Sequence, residues 1–193
     1  MSSYVDDNVI LGVAESREVA SEILVEWYKE CCLVVGKRGM VFSMLKTKWI
    51  GFGGMWDMLE WDSHVRKPVE ELRVLGFWFN VHANFIVHVD YWLKRGLRAR
   101  MRIAALGRQF EGTGGLGTWE TLQLIRSLYL PTIYFGLEFL TGHWPCVKRI
   151  QVHLNDCLCS LFRAPSKIAN TILLVECGFP LTHLYGEYIR RQC

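Results

Sequence analysis

Ser3-Tyr4-Val5-Asp6-Asp7-Asn8-Val9-Ile10-Leu11 sets two adjacent carboxylates between two short apolar runs. Tyr4 and Val5 lead in, Asp6-Asp7-Asn8 make a polar turn, and Val9, Ile10, Leu11 and Val13 continue as a buried strand, so the stretch predicts a β-hairpin. Two carboxylates on a tight turn suit Mg²⁺, a hard cation that prefers oxygen ligands and keeps part of its water shell. Asp and Asn are also ordinary turn formers, and the dipeptide alone leaves both readings open.

Working outward from this turn, Ser16 is placed to cap a helix with Glu18 in its first turn. Val19, Ala20, Ile23, Leu24, Trp27 and Cys31 then recur along one helical face. Val34-Val35 and Met40-Val41-Phe42 flank the basic Gly36-Lys37-Arg38-Gly39, which predicts a second hairpin. Gly51 to Pro68 is rich in Gly and Trp and fits no single period, whereas Leu72 to Phe79 reads as a strand with Gly76 permitting close backbone approach. From about Asn84 the period becomes helical, with helices expected at roughly 84–106, 118–130, 146–162 and 168–176, ended by Gly107, Pro131, Pro165 and Gly178. The order predicts an α+β fold, with a mixed region over residues 1–81 and a helical region over residues 82–193.

Composition narrows the classes. The 193 residues are 51% hydrophobic, enough for one sizeable core, and the formal net charge is only +3. Affinity for nucleic acid would therefore depend on where the basic residues cluster. Seven cysteines without a repeated Cys-x-x-Cys spacing, and no charged-then-apolar leader, argue against a secreted disulfide framework. The most apolar stretch, Leu128 to Leu140, is shorter than the roughly 20 residues that span a bilayer, so no membrane partner is expected and the stretch reads as core.

Lys94, Arg95, Arg98 and Arg102 fall on one face of the helix expected over 84–106, with Trp92, Met101, Ala104 and Ala105 toward the other. Such a stripe can track phosphates, and it can equally be a solvated face. His143, Cys146, His153, Cys157 and Cys159 include ligand types for zinc but match no standard spacing and read first as packing residues. Trp27, Trp78, Trp92, Trp119 and Trp144 likewise read as core.

The Tyr4-Val5-Asp6-Asp7 turn, followed by a capped amphipathic helix, resembles the catalytic turn of reverse transcriptases of non-LTR (LINE-type) retrotransposons. Glu71-Leu72-Arg73-Val74-Leu75-Gly76-Phe77-Trp78-Phe79 looks like that family's primer-gripping strand, with Val74 in place of an aromatic residue. Leu130-Pro131-Thr132-Ile133-Tyr134-Phe135-Gly136-Leu137-Glu138 is similar to its Pro, Tyr-Gly and Glu spacing, with Phe135 inserted. Arg163-Ala164-Pro165 and Leu173-Leu174 with Glu176-Cys177-Gly178-Phe179-Pro180-Leu181 look like two later segments. The resemblance implies a partial polymerase palm followed by a thumb-like helical region, acting on an RNA template and a DNA primer. Asp6 and Asp7 would be the catalytic, Mg²⁺-binding carboxylates, and Leu75 and Gly76 would lie at the primer. Lys37 would be the lysine that protonates pyrophosphate, with Lys46 as its rival; the usual Asn-x-x-Lys-Thr order is absent here. The Lys94-to-Arg102 stripe would sit on a thumb helix.

The family also needs an earlier aspartate-bearing strand and the fingers. The expectation is therefore a reverse transcriptase fragment that polymerises only with a complementing N-terminal segment. The alternatives are a non-catalytic nucleic-acid-binding remnant and a decayed transposon product without function. Such an element works in the nucleus and the cytoplasm, and no basic import cluster selects between them.

Overall fold

The computed structural model describes residues 2–4, 7–43, 46–53, 56, 58–61, 64–109, 116–165 and 170–192. The fold is mixed α+β, and the chain divides into two compact units, Met1–Asn84 and Phe85–Cys193.

In the first unit, β1 (Ser2–Tyr4) pairs antiparallel with β2 (Asp7–Val9) in the register Ser2↔Val9, Ser3↔Asn8, Tyr4↔Asp7. The ladder has already resumed at Asp7, so Asp7 and Asn8 are strand residues and not turn residues. The expected buried continuation to Val13 is not formed. Beyond Val9 the chain leaves the ladder, Leu11 and Val13 are exposed, and Ile10 packs against the small core of Tyr28, Trp49 and Leu59. A two-stranded ladder offers no second layer under which such a run could be buried.

Helix α1 (Arg17–Gly36) begins as its sequence predicts: Ser16 is extended and its hydroxyl accepts the Val19 N–H at 3.3 Å. Such a cap is worth about 1 kcal/mol. Ala20, Tyr28 and Cys31 form its buried side, while Val19 and Trp27 are exposed. The hairpin expected around residues 36–39 is instead the end of this helix. Val34 and Val35 remain helical, the N–H groups of Arg38 and Met40 both donate to the Val35 carbonyl, and Gly39 takes φ +70°. A left-handed glycine satisfies the last carbonyls, which outweighs the few tenths of a kcal/mol that β-branched residues cost a helix.

β3 (Leu59–Trp61) and β4 (His64–Arg66) form a second hairpin within the stretch that fits no sequence period. The Trp49 indole N–H donates to the Arg66 carbonyl at 3.2 Å, and the Val69 N–H to the Trp49 carbonyl at 3.0 Å. The single strand expected over Leu72–Phe79 is a third hairpin, β5 (Glu71–Val74) with β6 (Phe77–Asn80). Leu75 at φ +48° and Gly76 at φ +88° make its two-residue turn. Positive φ at both central positions suits the right-handed twist of the flanking strands.

In the second unit, α2 (Ile86–Gln109) passes through Gly107 without ending. α3 (Thr118–Leu124) runs into a π-turn, Ile125–Tyr129, and on into α4 (Leu130–Ile133), so Pro131 does not terminate the helix. The Leu130 N–H reaches back to the Ile125 carbonyl, and the wider turn accommodates the proline, which has no N–H to give to the preceding turn. α5 (Leu137–Leu140), α6 (Trp144–Phe162), α7 (Asn170–Glu176) and α8 (Thr182–Arg190) follow. α8 has no counterpart in the expected helices. Its Gly186 weakens the helical signal but lets α8 pack closely on α5: a Cβ there would lie 2.9 Å from Thr141 Cγ2 and 3.1 Å from Leu137 Cγ. In the apolar stretch expected as core, Tyr129, Ile133, Leu137 and Leu140 are buried while Leu128, Phe135 and Phe139 are exposed, and α6 adds Ile150, Leu154 and Leu158 to the buried set. No helix among the described residues is long and apolar enough to cross a membrane.

Candidate nucleic-acid interface

The residues singled out by the sequence fall in separate places. Asp6 lies outside the described residues, and Asp7 opens β2 opposite Tyr4. Lys37 follows the last turn of α1, exposed, with its N–H donating to the Leu33 carbonyl; it belongs to a helix cap and not to a catalytic hairpin. Lys46 is exposed in a turn, where its N–H donates to the Ser43 carbonyl. Leu75 is exposed at the tip of the β5–β6 hairpin beside Gly76. Among the described residues no group of three or more His, Cys, Asp or Glu side chains gathers to hold a metal ion.

Lys94, Arg95, Arg98 and Arg102, in contrast, come together on α2. The helix is amphipathic because His88, Val89, Gly96 and Ile103 recur at helical spacing and are buried. Gly96 faces α4: a Cβ there would meet Ile133 Cγ2 at 2.4 Å, so the contact as it stands leaves room only for a glycine. Burying that face turns Lys94, Arg95, Arg98 and Arg102 toward solvent. At 1.5 Å per residue, Lys94 to Arg102 covers about 12 Å of helix axis. Met101, expected on the apolar side, is 61% exposed and flanks the stripe. Among the described residues no carboxylate forms an ion pair with Lys94, Arg98 or Arg102; Asp90 of the same helix pairs with Arg149 of α6.

Arg95 differs from its neighbours in having a built seat. Its Nη1 donates to the Tyr91 hydroxyl at 3.1 Å, and its guanidinium carbon stands 5.8 Å from the Tyr91 ring centroid and 5.3 Å from that of Trp92. Trp92 is itself held by Phe135, whose ring centroid is 4.6 Å away, and by the edge of Tyr91 at 5.2 Å. Phe135 is fixed in turn because the His88 Nε2–H donates to its carbonyl at 2.9 Å, and because Gly136, at φ +75°, turns the chain immediately after it. Burial holds the His88 imidazole below the usual histidine value, with the Phe135 carbonyl and Glu138 pulling weakly the other way. Tyr91 and Phe135 were missed as site residues. The Tyr91–Arg95 spacing of four was a usable signal, whereas Phe135 reaches the site only through the packing of a distant segment.

The histidines and cysteines of α6 do not assemble as a zinc site. His153 Nδ1 lies 2.5 Å from the Tyr129 hydroxyl, which also donates to the His153 carbonyl at 2.8 Å. Burial pushes the Cys157 thiol up to about 12, so it stays protonated near neutral pH. Trp119 and Trp144, expected in the core, are 63% and 59% exposed. A shallow groove of about 420 Å³ between α2 and α6 is lined by Leu93, Lys148, Arg149 and Val152.

No family model, no curated protein and no solved structure matches the chain.

Proposed function

We propose that the chain is a segment of a non-LTR (LINE-type) RNA-directed DNA polymerase whose helical unit contacts a template–primer duplex through α2. The observation that carries the reading is the solvent-facing stripe Lys94, Arg98 and Arg102, with no pairing carboxylate among the described residues and with Arg95 beside it. Cations left uncompensated on one helix face attract phosphates, release counterions on contact and read no sequence. The resemblance of the Tyr4-to-Leu11 and Leu130-to-Glu138 segments supplies the polymerase half of the proposal.

Mg²⁺ enters only through Asp6 and Asp7. A two-metal centre needs more oxygen ligands than two adjacent carboxylates provide, so these two alone would hold the ion weakly, and the function proposed for the chain is duplex binding.

Fluorescence anisotropy of a labelled RNA–DNA hybrid, titrated at several salt concentrations, tests the binding. The Lys94→Gln/Arg98→Gln/Arg102→Gln variant should lower the slope of log K against log salt by about 2 to 3, since each phosphate contact contributes about 0.9. Asp7→Ala should leave binding unchanged. A parent slope retained in the triple variant sinks the proposal.

A further inference from the structure

We infer that Arg95 is the residue that fixes where a nucleic-acid backbone seats on α2, by presenting a pre-set guanidinium fork to a single phosphate. The inference rests on the reading of α2 as a phosphate-tracking helix and assigns to one member of the stripe a role that the others cannot fill.

The difference lies in how each cation is held. Lys94, Arg98 and Arg102 face solvent and have no pairing carboxylate among the described residues, so their charges can follow a phosphate over a range of positions. Arg95 is anchored at one corner by the Tyr91 hydroxyl and lies over two rings. A guanidinium carries five N–H donors in a fixed plane, and one bond to Tyr91 leaves an edge for an incoming phosphate. Arginine–phosphate pairs are frequently bidentate, which adds direction to the attraction. Trp92, one of those two rings, packs against both Phe135 and Tyr91, and the Phe135 carbonyl accepts the His88 N–H. The fork is therefore oriented before the ligand arrives, and little side-chain freedom remains to be lost on binding.

The same labelled hybrid separates this role from a plain charge. Arg95→Lys keeps the charge and removes the plane, and should weaken binding by about tenfold while leaving the salt slope at the parent value. Tyr91→Phe keeps the ring and removes the anchor, and should weaken binding by about threefold, again at unchanged slope. Arg98→Gln behaves differently, lowering affinity and slope together. Helical circular dichroism of each variant checks that α2 is intact, and Tyr91→Phe supports or sinks the inference even if the Arg95 variant unfolds. If Arg95→Lys and Tyr91→Phe bind like the parent while Arg98→Gln weakens binding, Arg95 is one more point charge and the inference fails alone. If Arg98→Gln has no effect but Arg95→Lys weakens binding at unchanged slope, the fork survives and the stripe reading fails. If all three bind like the parent, both readings fail.

Discussion

Tyr129 and His153 show how much one residue of the second unit depends on another. The Tyr129 hydroxyl is fully buried and bonded to both the ring and the carbonyl of His153, so Tyr129→Phe strands buried polar atoms and should cost about 1–2 kcal/mol, read from the urea midpoint. His88 and His153 are both held below the usual histidine value, in each case by burial first; Arg100 lowers His153 further. The folded chain therefore binds fewer protons than the unfolded chain below about pH 6.5, and stability present above that value is lost as pH falls. The urea midpoint should drop between about pH 7.5 and 5.5, and by less in His88→Gln, which cannot titrate but keeps an N–H for the Phe135 carbonyl. At this scale the sequence was a partial guide. The four cations of α2 were legible because exposure follows directly from helical period, but Tyr91, Phe135 and the burial of His88 depend on packing between distant segments of the chain.

Elements were legible where one physical signal dominated. Ser16 and the apolar period marked the start of α1, and Pro165 and Gly178 lie just beyond the ends of α6 and α7, whereas Gly107 and Pro131 end no helix. Gly39 closed a helix that the valines before it had made look like a strand, and Leu75-Gly76 turned a hairpin in what reads as one strand. Leucine at φ +48° is strained, since its Cβ crowds the following carbonyl in the left-handed region. Asn tolerates that region better, so Leu75→Asn should stabilise the first unit by about 0.5–1 kcal/mol in thermal or urea unfolding. Gly96→Ala should do the reverse. Its methyl would meet Ile133 at the α2–α4 contact, and overpacking of this kind costs about 1–3 kcal/mol despite the better helix propensity of alanine.

Across the whole chain the two units bury very different cores. Residues 1–84 gather a small cluster around Tyr28, Trp49 and Leu59, whereas residues 85–193 bury a larger set from Val89 on α2 to Leu158 on α6. Hydrogen exchange should therefore find the slowest amides in α2 and α6, with those of β3 to β6 opening at lower free energy; equal protection in both units would contradict this ranking. The division falls at residue 84, just before the long helix α2 begins at Ile86, but the sizes of the cores depend on contacts that no local pattern encodes. The π-turn has a consequence for how the chain can change in length. It holds one residue more than an α-turn, so loss of a single exposed residue such as Ser127 would leave the flanking segments in phase, provided that Pro131 is replaced in the same step. Deletion alone would press the proline ring against the carbonyl of a regular helical turn, and only the two changes together yield a shorter chain with the same fold.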